Sequence, residues 1–196
     1  MKPIASWALL ITVSIGCGAQ LPARYVVERD VGPFFYRRYQ QTLDVEFVID
    51  GNTAVGHTAT YLRRGAIGTD FATAFVTVYT RPDSLSAEVR EQLESLQHYQ
   101  FAVRELGGEP VFALERGDER WAVWVSGRHV VKLGAPRGEA VPEALIDAYL
   151  DIYPSDLDEH GRAREGTASR GPSQRELHDR AAAEPSVPDS LHPATR

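Results

Sequence analysis

The chain has 196 residues, 43% of them hydrophobic and 24% charged, with a formal net charge of -6. That length suits a single domain, and the composition is that of an ordinary globular fold. The acidic balance excludes nucleic acid as a partner. Displacing counterions from a phosphate backbone takes a basic stripe, and the basic residues here cluster only in short pairs such as Arg37-Arg38 and Arg63-Arg64.

The N-terminus carries an address. Lys2 supplies a positive start, Ile4 to Ile15 form an apolar stretch, and small residues follow. This is the layout of a secretory signal peptide, predicted over residues 1–16. The stretch falls short of the ~20 apolar residues that span a bilayer. Cys17 is the single cysteine. An internal disulfide is therefore excluded, which leaves intermolecular pairing, a reactive thiol or a modification site. Ser14-Ile15-Gly16-Cys17 resembles the bacterial lipobox, with Ser14 where that family usually carries leucine. The resemblance implies cleavage before Cys17 and acylation of its thiol, which makes Cys17 the membrane anchor. Each buried methylene contributes ~0.8 kcal/mol, so two or more acyl chains hold firmly where one holds marginally. Gly18 stands where lipoproteins retained at the inner membrane carry aspartate, so the resemblance implies an outer membrane, on the side facing the periplasm. The alternative is ordinary cleavage after Ala19, which discards the cysteine and releases a secreted, soluble protein.

Residues 17–24 then read as a lipidated N-terminus and tether, 25–154 as one domain and 155–196 as a tail. Tyr25 to Arg29 is a short strand candidate, followed by a turn at Asp30-Val31-Gly32-Pro33. Phe34 to Gln41 is aromatic, either strand or irregular. Leu43, Val45, Phe47 and Ile49 alternate as in a half-buried strand. Asp50-Gly51-Asn52 turns that strand into a partner over Val55 to Leu62. Phe71 to Tyr79 is a third strand. Leu85, Val89, Leu93 and Leu96 form one helical stripe, with Ser84 or Ser86 as cap and Glu88 near the positive end of the dipole. Gln100 to Leu106 is extended and ends at Gly107-Gly108. A meander follows through Val111 to Glu115, Arg120 to Val125 and His129 to Leu133. Its middle strand is apolar on both faces, which predicts cover on both sides. Gly134 to Gly138 reads as a loop. A last helix opens at Pro142, with a stripe of Leu145, Tyr149 and Ile152 or Tyr153, and ends at Pro154. From Ser155 large apolar residues become scarce. Such a segment cannot offset the ~1–2 kcal/mol per residue that ordering a backbone costs, so disorder is predicted, with a transient helix over Ser173 to Ala183.

Clustered antiparallel strands with two packed helices make an α+β fold. In outline, Asp44 to Tyr153 is similar to the Mog1/PsbP-like fold: a leading hairpin, a strand entering a helix after Thr80-Arg81-Pro82, a Gly-Gly segment entering a meander and a closing helix. The similarity carries over no functional residue.

The search for chemistry returns no catalytic residue, no metal site and no cofactor. Ser126, in Val125-Ser126-Gly127-Arg128-His129, resembles half of a nucleophile elbow, but Trp124 occupies the place of the first glycine and a strand follows. Histidines 57, 98, 129, 160, 178 and 192 show no paired helical spacing; the first three are able to meet only through folding, and the last three lie in the tail. Asp44, Glu46, Asp50 and Asp70 flank strands, with Asp44 and Glu46 placed on the solvent side. Gly107-Gly108 and Gly134 to Gly138 lack the features of a phosphate cradle. Arg116-Gly117-Asp118 matches an integrin-binding tripeptide, yet a hairpin turn accounts for it. Phe34-Phe35-Tyr36-Arg37-Arg38-Tyr39 interleaves arginines with aromatics, a chemistry suited to an anionic envelope polymer or lipid headgroup; its plainer reading is an amphipathic strand. The functional expectation is a non-enzymatic binding or assembly-support module of the cell envelope, with a membrane reached through the lipid and an envelope protein or anionic polymer as partner. The alternatives are an envelope hydrolase with dispersed acid and base residues, or a small-ligand carrier.

Overall fold

The computed structural model describes residues 24–43, 45–65 and 71–164. The predicted leader, Cys17, most of the tether, Asp44, Asp70, the helix expected over residues 173–183, His178 and His192 lie outside the described residues.

Seven strands and two helices follow one another as β1 (Phe34–Thr42), β2 (Ala54–Arg63), β3 (Phe71–Tyr79), α1 (Leu85–Glu94), β4 (Gln100–Leu106), β5 (Glu109–Arg116), β6 (Glu119–Ser126), β7 (His129–Gly134) and α2 (Glu143–Leu150). All seven strands form one antiparallel sheet in the order β1-β2-β3-β7-β6-β5-β4. The chain lays down β1 to β3 as a meander, then passes through α1 to the far edge. A four-strand meander returns until β7 closes on β3. The α+β class stands, and β4 joins the predicted three-strand meander through the Gly107-Gly108 turn, where Leu106 pairs with Glu109. Both glycines have positive φ, which the tight turn requires.

Paired residues of neighbouring strands share a face, so the register sorts the sheet into two sides. One side carries Ala72, Ala74 and Val76 of β3, Ala59 and Tyr61 of β2, Val131 and Leu133 of β7, and Ala122 and Trp124 of β6. These are all buried. α2 lies over this side: the Tyr149 hydroxyl meets that of Tyr61, and the Trp124 indole donates to the Tyr153 carbonyl. The other side carries Phe75, Thr77 and Tyr79 with Val130, Lys132, Val123 and Val125. Residues 45–49, α1 and residues 157–161 cover it. The Tyr79 hydroxyl donates to the Phe47 carbonyl, Gln92 of α1 to that of Val48, and Arg90 of α1 to that of His160. β6 is thus covered on both sides, as its composition predicts, with Val123, Trp124 and Val125 all buried.

Six expectations need correction. Residues 45–49 are not a strand. β1 takes the place expected for them beside β2, while Phe47 and Ile49 turn inward and Leu43 and Val48 are 81% and 72% exposed; the turn at Asp50-Gly51 survives as a bridge between Ile49 and Asn52. Tyr25 to Arg29 belong to no strand, because tyrosine hydroxyls rather than a neighbouring strand satisfy that backbone. Leu96 leaves the helical stripe: α1 ends at Glu94, and Leu96 is 39% exposed. Ser84 precedes α1 with φ 62, and no side chain caps the helix. The expected disorder from Ser155 does not begin there. Leu157 is buried, Ser155 donates to the Pro110 carbonyl at 2.6 Å, and the Asp158 carboxylate accepts the amides of His160 and Arg162. Local side-chain bonds and one well-placed leucine order this stretch despite its polar composition.

Gly134, expected in a loop, is the last residue of β7 and is buried. A Cβ there would lie 2.6 Å from Thr73 Oγ1 and 2.9 Å from Trp121 Cε3. The indole of Trp121 therefore lies across the glycine, and no side chain fits between. Gly134→Ala is expected to lower stability by ~1–3 kcal/mol, the usual range for overpacking, measured as a shift in denaturant midpoint with an unchanged slope.

Candidate functional site

Two places gather chemistry: a buried layer of histidines and tyrosines between the sheet and α2, and an open cleft beside the start of α1.

Sequence periodicity places His57 on β2 and His129 on β7, separated by β3. The register sets both on the α2 side, beside Val76 and Val78. They are 3% and 1% exposed. The ring of Tyr25 lies between them, 4.6 Å from His57 and 5.7 Å from His129. The Tyr39 hydroxyl sits 2.8 Å from His57 Nδ1, and Tyr153 packs 5.1 Å from His129. His129 Nδ1 faces the Ser126 carbonyl at 3.1 Å, a bond that its neutral ring makes as donor. Burial in this aromatic setting pushes the His129 pKa down to about 4 and lowers that of His57, because a charged ring has no water to solvate it. For the same reason burial raises the phenols of Tyr61, Tyr149 and Tyr153. Beside the histidines the Tyr61 hydroxyl donates to the Val27 carbonyl at 2.5 Å, and the Val27 amide donates to Tyr149 Oη at 3.2 Å. With the Tyr61 proton so committed, Tyr149 donates to Tyr61 across 2.8 Å.

The fold brings His57 and His129 together and leaves His98 exposed after α1 and His160 exposed beyond α2. Among the described residues no three His, Cys, Asp or Glu converge as a metal site requires. Ser126 ends β6 at the hairpin turn into β7, beside His129 and beneath Asp156, whose carboxylate accepts the Gly127 amide. A serine, a histidine and an aspartate thus meet at one turn. The geometry is not that of a nucleophile: Ser126 is fully buried, its hydroxyl has no hydrogen-bond partner, and the histidine nitrogen nearest the turn faces the Ser126 backbone. A nucleophile needs its base within reach and an exposed face for the substrate.

The other sequence candidates separate. Glu46 pairs with Lys132, whose ammonium lies 4.0 Å over the Trp121 ring, while Asp50 is exposed. Asp118 of the Arg-Gly-Asp tripeptide is engaged by Arg137, which holds its carboxyl below the usual range. In the aromatic–arginine stretch, Phe34 is buried, Tyr36 donates to Glu28 and Tyr39 meets His57. Arg37 and Arg38 stand exposed on an edge strand. The rings belong to the fold, so the stretch is the amphipathic strand of the plainer reading.

The cleft went unnoticed in the sequence because its walls come from separate segments. It holds about 540 Å3 between residues 82–87 at the uncapped start of α1 and residues 161–164, with Gly127 and Asp156 at its base. Arg90, Glu91 and Glu94 of α1 line one wall, and Arg162 and Arg164 the other. Arg90 is held by Glu94, Arg162 by Asp158 and Arg164 by Glu109. Three arginines, each paired with a carboxylate, therefore surround an open space together with Glu91 and Glu94. A second recess, under residues 45–47, holds about 30 Å3, room for about one water.

Compared with protein-family profiles, curated proteins and solved structures, the chain matches none.

Ser126→Ala separates a structural serine from a chemical one. Removing a buried hydroxyl that lacks a partner is expected to leave stability unchanged or raise it by up to ~1 kcal/mol, read as the thermal midpoint. A loss above ~1 kcal/mol would show that the hydroxyl holds a buried contact.

Proposed function

We propose that this chain is an exported lipoprotein of the cell envelope, anchored through Cys17 at the outer membrane and facing the periplasm, and that its folded unit binds an envelope protein rather than converting a substrate. The leader and its cysteine support the address. The cleft beside α1 supports the binding role and is the observation that carries it. Its three arginines are each paired with a carboxylate, Glu91 and Glu94 stand in the same wall, and the start of α1 adds backbone N–H groups without a side-chain cap. Such a wall offers donors and acceptors to a polypeptide segment that itself carries both charges and free peptide groups. The groups with reactive chemistry, Ser126, His57 and His129, are buried and are not among the cleft's lining residues.

Mass spectrometry of the mature N-terminus tests the address. Acylated Cys17 is expected, lost in Cys17→Ala; a mature chain starting at Gln20, or an uncut leader, contradicts it. A photo-crosslinking residue at Ala87 in the cleft is expected to give one discrete protein adduct in intact cells. That adduct should be lost on Arg90→Glu and absent when the crosslinker stands at Glu139. The same adducts from both positions would contradict the cleft as binding site.

A further inference from the structure

Residues 25–27 cross the sheet between β2, β7 and α2 without joining a strand. Their side chains are buried. Their backbone is held by three phenols: Tyr61 donates to the Val27 carbonyl, Tyr149 accepts the Val27 amide, and Tyr153 donates to the Tyr25 carbonyl at 2.8 Å. Beneath them Tyr25 covers both buried imidazoles. Two groups that gain charge in mild acid thus lie under a short segment that belongs to no strand, and the other walls of their chamber are β1, β2, β3, β7 and α2.

We infer that residues 25–29 are an acid-released strap, with His57 and His129 as the groups whose protonation lifts it.

The surroundings favour release over accommodation. His57 faces Tyr25 of the strap and Tyr39 of β1, with Arg24 lying 5.1 Å over the Tyr39 ring and itself bonded to Glu28. His129 faces Tyr25, Tyr153 beyond α2 and the Ser126 carbonyl, and the neighbouring Arg128 and His57 both oppose its charge. Tyr149 of α2 is occupied with Tyr61 and Val27, and Asp156 accepts the Gly127 amide. Among the described residues, no carboxylate is a source of support for either imidazolium. Hydrating the charged rings therefore requires opening the chamber. A strand would have to leave the sheet to do so, whereas the strap gives up three hydroxyl bonds to its backbone and the Tyr36 bond to Glu28.

The sign follows from linkage. The folded state keeps the rings neutral, so below the ordinary value near 6.5 the open form binds protons that the closed form does not. The strap holds above that value and is progressively released as the pH falls toward about 4. Release frees residues 25–29, which extend the link to the membrane by up to about 17 Å. That consequence rests on the lipoprotein reading; the release itself does not.

Amide hydrogen exchange on the mature full-length chain, corrected for intrinsic rates, tests the proposal. Between neutral pH and about pH 4.5, protection of Val27 is expected to fall at least about tenfold while Val123 and Val131 keep theirs. His129→Phe, which keeps an aromatic ring without a proton to gain, is expected to shift the release to lower pH. Tyr25→Ala is expected to expose Val27 at every pH. In the unaltered chain, imidazole nitrogen shifts are expected to report protonation in step with the loss of Val27 protection, so the result does not depend on the variants folding. Loss of protection at Val27 and Val131 together, or protonated imidazoles beneath a still-protected strap, would overturn the proposal. Finding Cys17 unmodified would remove the membrane consequence and leave the strap standing.

Discussion

The structure depends on a bonded pair of phenols buried between sheet and helix. Tyr61 of β2 and Tyr149 of α2 meet 2.8 Å apart, each also bonded to the backbone of Val27. An unpaired polar group in such a place costs about 1–3 kcal/mol. The two hydroxyls and the two backbone groups of Val27 satisfy one another, and in doing so join three segments distant in sequence. α2, with only eight residues, is too short to cover its side of a seven-stranded sheet. The strap completes the cover, and the phenols make an irregular strap tolerable there by standing in for the missing ladder.

The same arrangement explains how two histidines come to be enclosed. Once Tyr25 lies across β2 and β7, the rings of His57 and His129 are sealed from water and held neutral. Near the β6–β7 turn, His129 and Asp156 are bonded to backbone groups while the buried Ser126 hydroxyl makes no hydrogen bond to either of them. What stands open is the cleft beside α1, lined by three arginines that are each paired with a carboxylate.

Much of this was legible in the sequence where a period was strong. Phe71 to Tyr79, the helical stripe of Leu85, Val89 and Leu93, and the two-faced apolar run around Trp124 each announce an element and its burial. The failures have physical causes. Residues 43–49 alternate in sequence as a strand does, but β1 pairs with β2 and leaves residues 45–49 to cover the opposite face of the sheet. Tyr25 to Arg29 has strand composition, but its partners are hydroxyls contributed 34 and more residues later in the chain. Leu157 was hidden in a polar stretch whose order comes from Asp158 folding the loop back on itself. The candidate sites fared likewise: His57 and His129 were individually visible, but their meeting depended on a register across β3 that no local pattern encodes. The cleft walls were invisible because α1 and residues 161–164 are brought together only by the folded sheet.

The phenol pair is best tested by a double-mutant cycle of Tyr61→Phe and Tyr149→Phe, with stability read from denaturant unfolding. Each single change leaves a buried partner unsatisfied, whereas the double change removes both hydroxyls. The expected result is non-additivity: the double variant should be less destabilised than the sum of the two singles by about 1 kcal/mol. Two strictly additive losses would contradict the claim that this bonded pair ties sheet, strap and helix together.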